Sequence, residues 1–200
     1  MSKIAVIGIV GNSVFLPVRE FHVGGETVEA QSIHFEFGGK GFNQAVAAAR
    51  CGADVSFLAA VGKEYRAEIS EFLDREHIRH TLVFKDDSTA FAAIVTNQSG
   101  SNHVTVYQGA QLSEDDVAEF ETAIKNADIL LLNNEVDESV NVRAVEIAVR
   151  YGTKCILNPA PARKNSEQIT DHVFLFTPNE HELLGIEKKE NLVVTLGKKG

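Results

Sequence analysis

Cysteine is scarce in this chain, with Cys51 and Cys155 its only two. They lie far apart, each in an apolar stretch, which argues against a disulfide framework and predicts two buried structural thiols in a reducing compartment. Long apolar runs are missing as well. None reaches the roughly 18 residues of a membrane helix, so no membrane partner is expected. The first residues carry one lysine and a β-branched run with no small-residue cleavage site after it. They read as a buried first strand rather than a signal peptide, with cytoplasm as the default location. A basic surplus is also absent: 19 Lys and Arg face 28 Asp and Glu, a net charge of -9. That argues against nucleic acid or an anionic membrane surface. It leaves a nucleotide open, because a phosphate needs only a few local donors and helix N-termini. The seven histidines show no metal spacing. His77 and His80 fall three apart at the end of a charged helix and are expected on the surface. No internal repeat or low-complexity segment is found.

What is present is a regular alternation. Two hundred residues suit one domain, and short β-branched runs alternate with amphipathic stretches, the pattern of βαβ units. Core strands are expected at residues 3–10, 54–60, 79–85, 128–133, 153–158, 172–176 and 192–196. Helices are expected at 41–51, 64–76, 114–126 and 138–151. Runs such as Ile129-Leu130-Leu131-Leu132 suit parallel strands covered on both faces. Ser113 with Asp116 predicts a helix cap, and Gly152 a helix stop. Two stretches break the rhythm. Residues 27–37 look extended, and 90–96 with 102–107 read as a hairpin across Asn97-Gln98-Ser99-Gly100-Ser101. These strands are expected to form a small second sheet projecting from the first as a lid.

The most informative stretch is Phe37-Gly38-Gly39-Lys40-Gly41-Phe42-Asn43-Gln44-Ala45-Val46-Ala47-Ala48. Glycines here would let a ligand approach the backbone without a Cβ in the way. The alanine-rich run then opens a helix, whose free N–H groups and positive end sit beside the turn. Lys40 and Asn43 add groups able to grip hydroxyls. A flexible turn before a closely packed helix is the plainer reading, and both stand at this point. Gly8 and Gly11 do not make a dinucleotide fingerprint, for the third glycine and a suitably spaced acidic residue are missing.

This stretch closely resembles the first signature of the ribokinase-like, or PfkB, carbohydrate kinases. The resemblance continues in order through Asn158-Pro159-Ala160-Pro161-Ala162-Arg163, then Thr177-Pro178-Asn179-Glu180-His181-Glu182, then Thr195-Leu196-Gly197-Lys198-Lys199-Gly200. It implies a single α/β domain over residues 1–200. That domain would be doubly wound, with a mostly parallel central sheet flanked by helices and lid strands at about 12–37 and 88–108. It implies a kinase that moves the γ-phosphoryl of Mg-ATP to a primary hydroxyl of ribose or a similar furanose. Gly38, Gly39, Lys40 and Asn43 would bind the sugar, and Glu135 would face it from the carboxyl end of the sheet. Asn179 and Glu182 would order Mg2+, its waters and the phosphates, with Glu182 on the metal. Thr195, Gly197 and Gly200 would line the ATP site. K+ is a further candidate cofactor, and a homodimer through the lid a candidate assembly. Apart from the resemblance, Asn179 and Glu182 read as an ordinary helix start with an acidic first turn.

Three departures stand out. The family supplies an Asn and an Asp to the sugar where this chain has Gly11 and Ser13, so the substrate need not be ribose. Where the family has a full helix, residues 186–190 offer only Ile186-Glu187-Lys188-Lys189-Glu190, as though residues had been lost. The family's Gly-Ala-Gly-Asp segment, an anion hole with the catalytic base, has no match in these 200 residues, so the base is expected after Gly200. Two other readings therefore stay open, a nucleoside kinase of the same superfamily and a non-catalytic sugar- or nucleotide-binding remnant.

Overall fold

A computed structural model describes residues 1–186 and 191–197. The chain forms β1 (Lys3–Ile7), β2 (Gly11–Pro17), β3 (His34–Gly38), α1 (Lys40–Arg50), β4 (Asp54–Val61), α2 (Arg66–Arg75) and β5 (Arg79–Phe84). There follow β6 (Ala90–Thr96), β7 (Asn102–Tyr107), α3 (Glu114–Glu119), α4 (Glu121–Lys125), β8 (Ile129–Asn133) and α5 (Glu138–Tyr151). The chain continues with β9 (Lys154–Asn158), α6 (Glu167–Thr170), β10 (Val173–Phe176) and a 3-10 turn at Glu182–Gly185.

Six strands in the order β10-β9-β8-β1-β4-β5 form a wholly parallel sheet. Because side chains alternate along a strand, each face feeds a separate core. Ala5, Ile7, Leu130 and Leu132 pack with Val117, Ile124, Val140 and Ala144 of α3 to α5. On the other face Val6, Val55 and Phe57 pack with Phe42, Ala45, Ile69 and Leu73 of α1 and α2. The fold is thus the expected α/β sandwich, with helices on both faces. Among the described residues no helix is long and apolar enough to cross a membrane.

A second sheet of four strands, β3-β2-β6-β7, stands apart from the first. Its central pair β2 and β6 is parallel, and both edges are antiparallel. The hairpin is where the turn residues placed it. Of residues 27–37, only the end pairs, as β3.

Several expectations need correction. The helix expected at 114–126 breaks at the buried Phe120, whose φ of -90 and ψ of 1 let Val117, Phe120 and Ile124 all turn inward. Residues 192–196 form no strand. Leu192 bridges Phe176, the last residue of β10, so the segment runs past the sheet and bridges only the following loop, Thr195 against Asn179. The short crossover before it falls largely on residues 187–190, outside the described residues. Cys51 is exposed, because it is the cap that ends α1 at the surface. Cys155 is buried as expected, and burial pushes its thiol up to about 12. His80 lies within β5, its side chain 16% exposed and near Asp74 and Ser70. It is not the surface residue its neighbours suggested.

Ser113 and Asp116 form a reciprocal capping box at α3, and α5 ends on Gly152 at φ 74. Asp116 Oδ2 also accepts from Lys85 Nζ at 2.7 Å, which ties the start of α3 to the end of β5. Burial pushes the Asp116 carboxyl up, but the Lys85 ammonium and the Ser113 N–H and hydroxyl outweigh it and hold the group low. An aspartate held low adds stability above its unfolded value, about pH 4, and loses it as pH falls through the folded one. Asp116→Ala should therefore lower stability near neutral pH by about 1–3 kcal/mol. In urea titrations, that deficit should shrink as the pH falls into the acid range.

Candidate functional site

Since the six strands of the main sheet are parallel, their carboxyl ends open on a single edge, where α/β sheets hold their ligands. The loops leaving β1, β8, β9 and β10 meet there. The seat of α1 on this edge comes first. Gly8, just after β1, and Gly41, in the first turn of α1, are in direct contact. A Cβ on Gly41 would lie 2.6 Å from Gly8 Cα, and one on Gly8 would lie 2.6 Å from Asn133 Nδ2. The N-cap Gly39 has no side chain to cap the helix. Its orphan donors are met from elsewhere, Phe42 N by Ile9 O at 3.2 Å and Lys40 N by Glu135 Oε2 at 2.6 Å.

Glu135 is thus a helix cap supplied from β8, with its carboxylate at the positive end of α1. The fully buried Asn133 aims it: its Oδ1 accepts from Glu135 N at 3.0 Å, and its Nδ2 donates to Ile7 O at 3.3 Å. Asn141 Nδ2 in turn donates to Asn133 O at 2.9 Å. Burial raises the Glu135 carboxyl, and the Lys40 N–H and side-chain charge offset this only in part.

A cavity of about 330 Å³ opens beside this seat. It is lined by Gly11 and Ser13 of β2, by Gly38, Gly39 and Lys40, and by Glu135. Ile9, Asn12, Phe91, Ala92, Val106, Gln108 and Pro161 complete the wall. Ser13, Ala92 and Val106 form one cross-strand row of the small sheet, so that sheet roofs the cavity. Of the sugar residues expected from sequence, all but Asn43 meet here. Asn43 is exposed and lines an adjoining groove, which shares Asn12 with the cavity. Gln108 had no signal beyond lying in a loop, and Pro161 was legible only as part of the motif from Asn158 to Arg163. Asn133 and Asn141 were hidden because a buried amide has no motif.

The glycines need a different account from ligand access. A Cβ on Gly39 would meet Ile9 O at 2.4 Å, and its φ is 110. One on Gly11 would meet Ala90 O at 2.3 Å. Gly11, Gly39 and Gly41 are therefore demanded by the protein's own packing. Gly38 is the least crowded of these, since a Cβ there would meet only the side-chain Ser13 Oγ, at 3.2 Å.

Farther along the same edge lie the residues expected to serve the nucleotide. Asn158 Nδ2 donates to Thr177 O at 2.7 Å, which fixes the loop after β10 against β9. Asn179 N and Nδ2 both donate to the Glu182 carboxylate at 2.9 Å, and Asn179 Oδ1 accepts from the backbone N–H of His181 and Glu182. The pair closes on itself in the manner of a capped turn. Thr195 and Gly197 are exposed, with Thr195 N held by Pro178 O at 2.9 Å. Gly200 lies outside the described residues. Because β8 and β10 are two strands apart, Glu135 and Asn179 are separated across the sheet by about 10 Å.

Residues 1–200 match the profile described as pfkB family carbohydrate kinase. The bifunctional ribokinase/ribose-5-phosphate isomerase A of Fructilactobacillus sanfranciscensis is 36% identical over 95% of this chain, which spans 37% of that protein. The ribokinase of Staphylococcus aureus is 32% identical over 100% of the chain and 74% of its own length. That alignment runs over 225 positions against 200 residues here, so the relative carries residues inside the matched stretch that this chain does not. Among solved structures, the ribokinase of Thermotoga maritima superposes with a TM-score of 0.85 at 26% identity, covering 100% of this chain and 73% of the other.

The packing of the glycines separates two substitutions of similar appearance. Gly41→Ala should lower unfolding free energy by about 1–3 kcal/mol through overpacking against Gly8. Gly38→Ala should stay within about 0.5 kcal/mol of the parent. Chemical denaturation of the two variants side by side makes the comparison.

Proposed function

The chain belongs to the pfkB family of carbohydrate kinases, and on that footing we propose that it is the sugar- and nucleotide-binding part of an ATP-dependent sugar kinase of the cytoplasm. The observation that carries this reading is the 330 Å³ cavity on the carboxyl edge of the sheet, where β2, the glycine turn and the loop after β8 converge. It is large enough for a pentose and presents one carboxylate, one ammonium and one hydroxyl to it.

The sugar, ribose or a similar furanose, would lie between Ser13, Gly38, Gly39 and Lys40 on one side and Glu135 on the other. Glu135 Oε2 is engaged by Lys40 N, which leaves Oε1 to accept a sugar hydroxyl. Asn43 would serve from the adjoining groove. The small sheet would close as a lid that excludes water, and its exposed outer strand β7 offers a surface for a homodimer. The phosphates would lie toward Asn179 and Glu182, with Thr195 and Gly197 beside the nucleotide. Glu182 suits Mg2+ in one respect. It is a single carboxylate, and among the described residues no group of three or more His, Cys, Asp or Glu gathers to hold a metal. Such an ion would take most of its ligands from phosphate and water, as Mg2+ commonly does. It would supply charge neutralisation for phosphoryl transfer. This chain's contribution is to place the hydroxyl and the phosphates on one edge, since that reaction depends chiefly on positioning and charge. We assign the base that removes the hydroxyl proton to a Gly-Ala-Gly-Asp segment, which these 200 residues do not contain. K+ dependence belongs to the same proposal. Ser13 and the apolar wall of Ile9, Phe91 and Val106 favour a nucleoside as the second reading of the substrate.

ADP release, measured across pentoses, ketohexoses and nucleosides with and without K+, tests the reading on the protein carrying that segment. A pentose should give the highest kcat/KM, and saturable sugar binding with no turnover would defeat the kinase reading. Glu135→Gln should lower kcat/KM by about 10- to 100-fold through loss of a charged hydrogen bond. Its fold should be as stable as the parent or more so at neutral pH. Burial raises the Glu135 carboxyl, so its contribution to stability fades as pH rises through the folded value, and a neutral amide removes that loss.

A further inference from the structure

On the opposite side of β2 from Ser13 lies a second groove, of about 850 Å³, between the small sheet, α1 and the start of α2. Its wall holds a cluster of rings. Phe37 meets Phe42, Tyr65 and Phe72 edge to face, with centroids 6.1–6.4 Å apart. Aromatic walls of this kind are ordinary in a core, but this one is open to solvent. Tyr65, 37% exposed, takes φ 64, a left-handed conformation that bulky residues rarely adopt.

The observation that points to a ligand is Asn12. It pairs with Phe37 across β2 and β3, so its side chain shares the face of that ring. Asn12 is 5% exposed, and its amide has no hydrogen-bond partner among the described residues. Its polar atoms are not among the fully enclosed ones that lack a partner, so the amide keeps an opening to the groove it lines. At the rim, Asn43 adds a second amide. The charge of the groove is the other constraint. Arg50 is held by both oxygens of Glu76 at 2.6 and 2.8 Å, and Glu36 lines the same wall. No lining cation is therefore left for a phosphate.

We propose that this groove is a second ligand site, taking an uncharged planar nitrogen heterocycle, a free nucleobase or a nucleoside. The rings would stack on the heterocycle, and the Asn12 amide, donor and acceptor together, would pair with its edge. The site lies across the small sheet from the sugar cavity and does not depend on the kinase reading.

Calorimetric titration of the full chain with adenine, adenosine and AMP tests it, using Asn12→Leu and Tyr65→Gly. Adenine and adenosine should bind saturably, and AMP more weakly. Each substitution should weaken adenine binding by about 10-fold or more, the scale of one lost polar or ring contact. Neither should abolish cooperative unfolding, because Leu is close to Asn in shape beside the rings of the groove wall and Gly accepts a positive φ. Adenine held in a nucleotide site would ignore both substitutions. Binding that survives them, AMP binding as tight as adenosine, or no saturable binding below about 1 mM would overturn the proposal.

Discussion

The contact on which the site depends is the approach of Gly41 to Gly8, backbone against backbone, at the carboxyl end of the first strand. No side chain separates the helix from the strand, so the first turn of α1 sits directly on the edge of the sheet. Its free N–H groups then fall within reach of the loops from neighbouring strands. One of them is met by the Glu135 carboxylate, 95 residues away in sequence. The glycine pair, Asn133 and Glu135 form one structure. The glycines set the distance, the buried Asn133 amide sets the direction, and the carboxylate joins helix to loop.

That arrangement explains how one carboxylate can serve both fold and site. Capping a helix asks for a negative charge at its N-terminus, and binding a hydroxyl asks for an acceptor beside a cavity. Glu135 has two oxygens, and the helix uses one. The cost is burial, which raises its carboxyl above the usual range. Asp116 shows the opposite balance, where a lysine and the Ser113 donors outweigh burial. The two acids differ because one meets a neighbouring cation side chain directly and the other meets chiefly a backbone N–H.

Much of the main sheet was legible in the residues themselves. Apolar β-branched runs gave six of its strands to within a few residues, because a strand covered on both faces leaves little choice of side chain. The hairpin between β6 and β7 was readable from its turn formers, and the caps at Ser113 and Gly152 from local chemistry. The strand expected at 192–196 failed for a reason no local pattern holds. Its register against β10 starts at the last residue of that strand, so beyond Leu192 it pairs only with the loop that follows β10. His80 and Cys51 were misplaced because their apolar or charged neighbours were taken as a guide to burial, while strand and helix boundaries decided it.

The sequence by itself determined the fold class and the presence of a glycine turn before a helix, and its ordered motifs carried the family resemblance. These are matters of period, composition and short spacing, which neighbouring residues specify among themselves. Only the tertiary structure decided why the glycines are there, since the Cβ they exclude would strike Ile9, Ala90 and Gly8, atoms brought close by folding. It also placed Asn43 outside the cavity and the Asn12 side chain on the Phe37 face of the small sheet. Those facts depend on which strand lies beside which, and contacts between distant segments leave no periodic trace in either one.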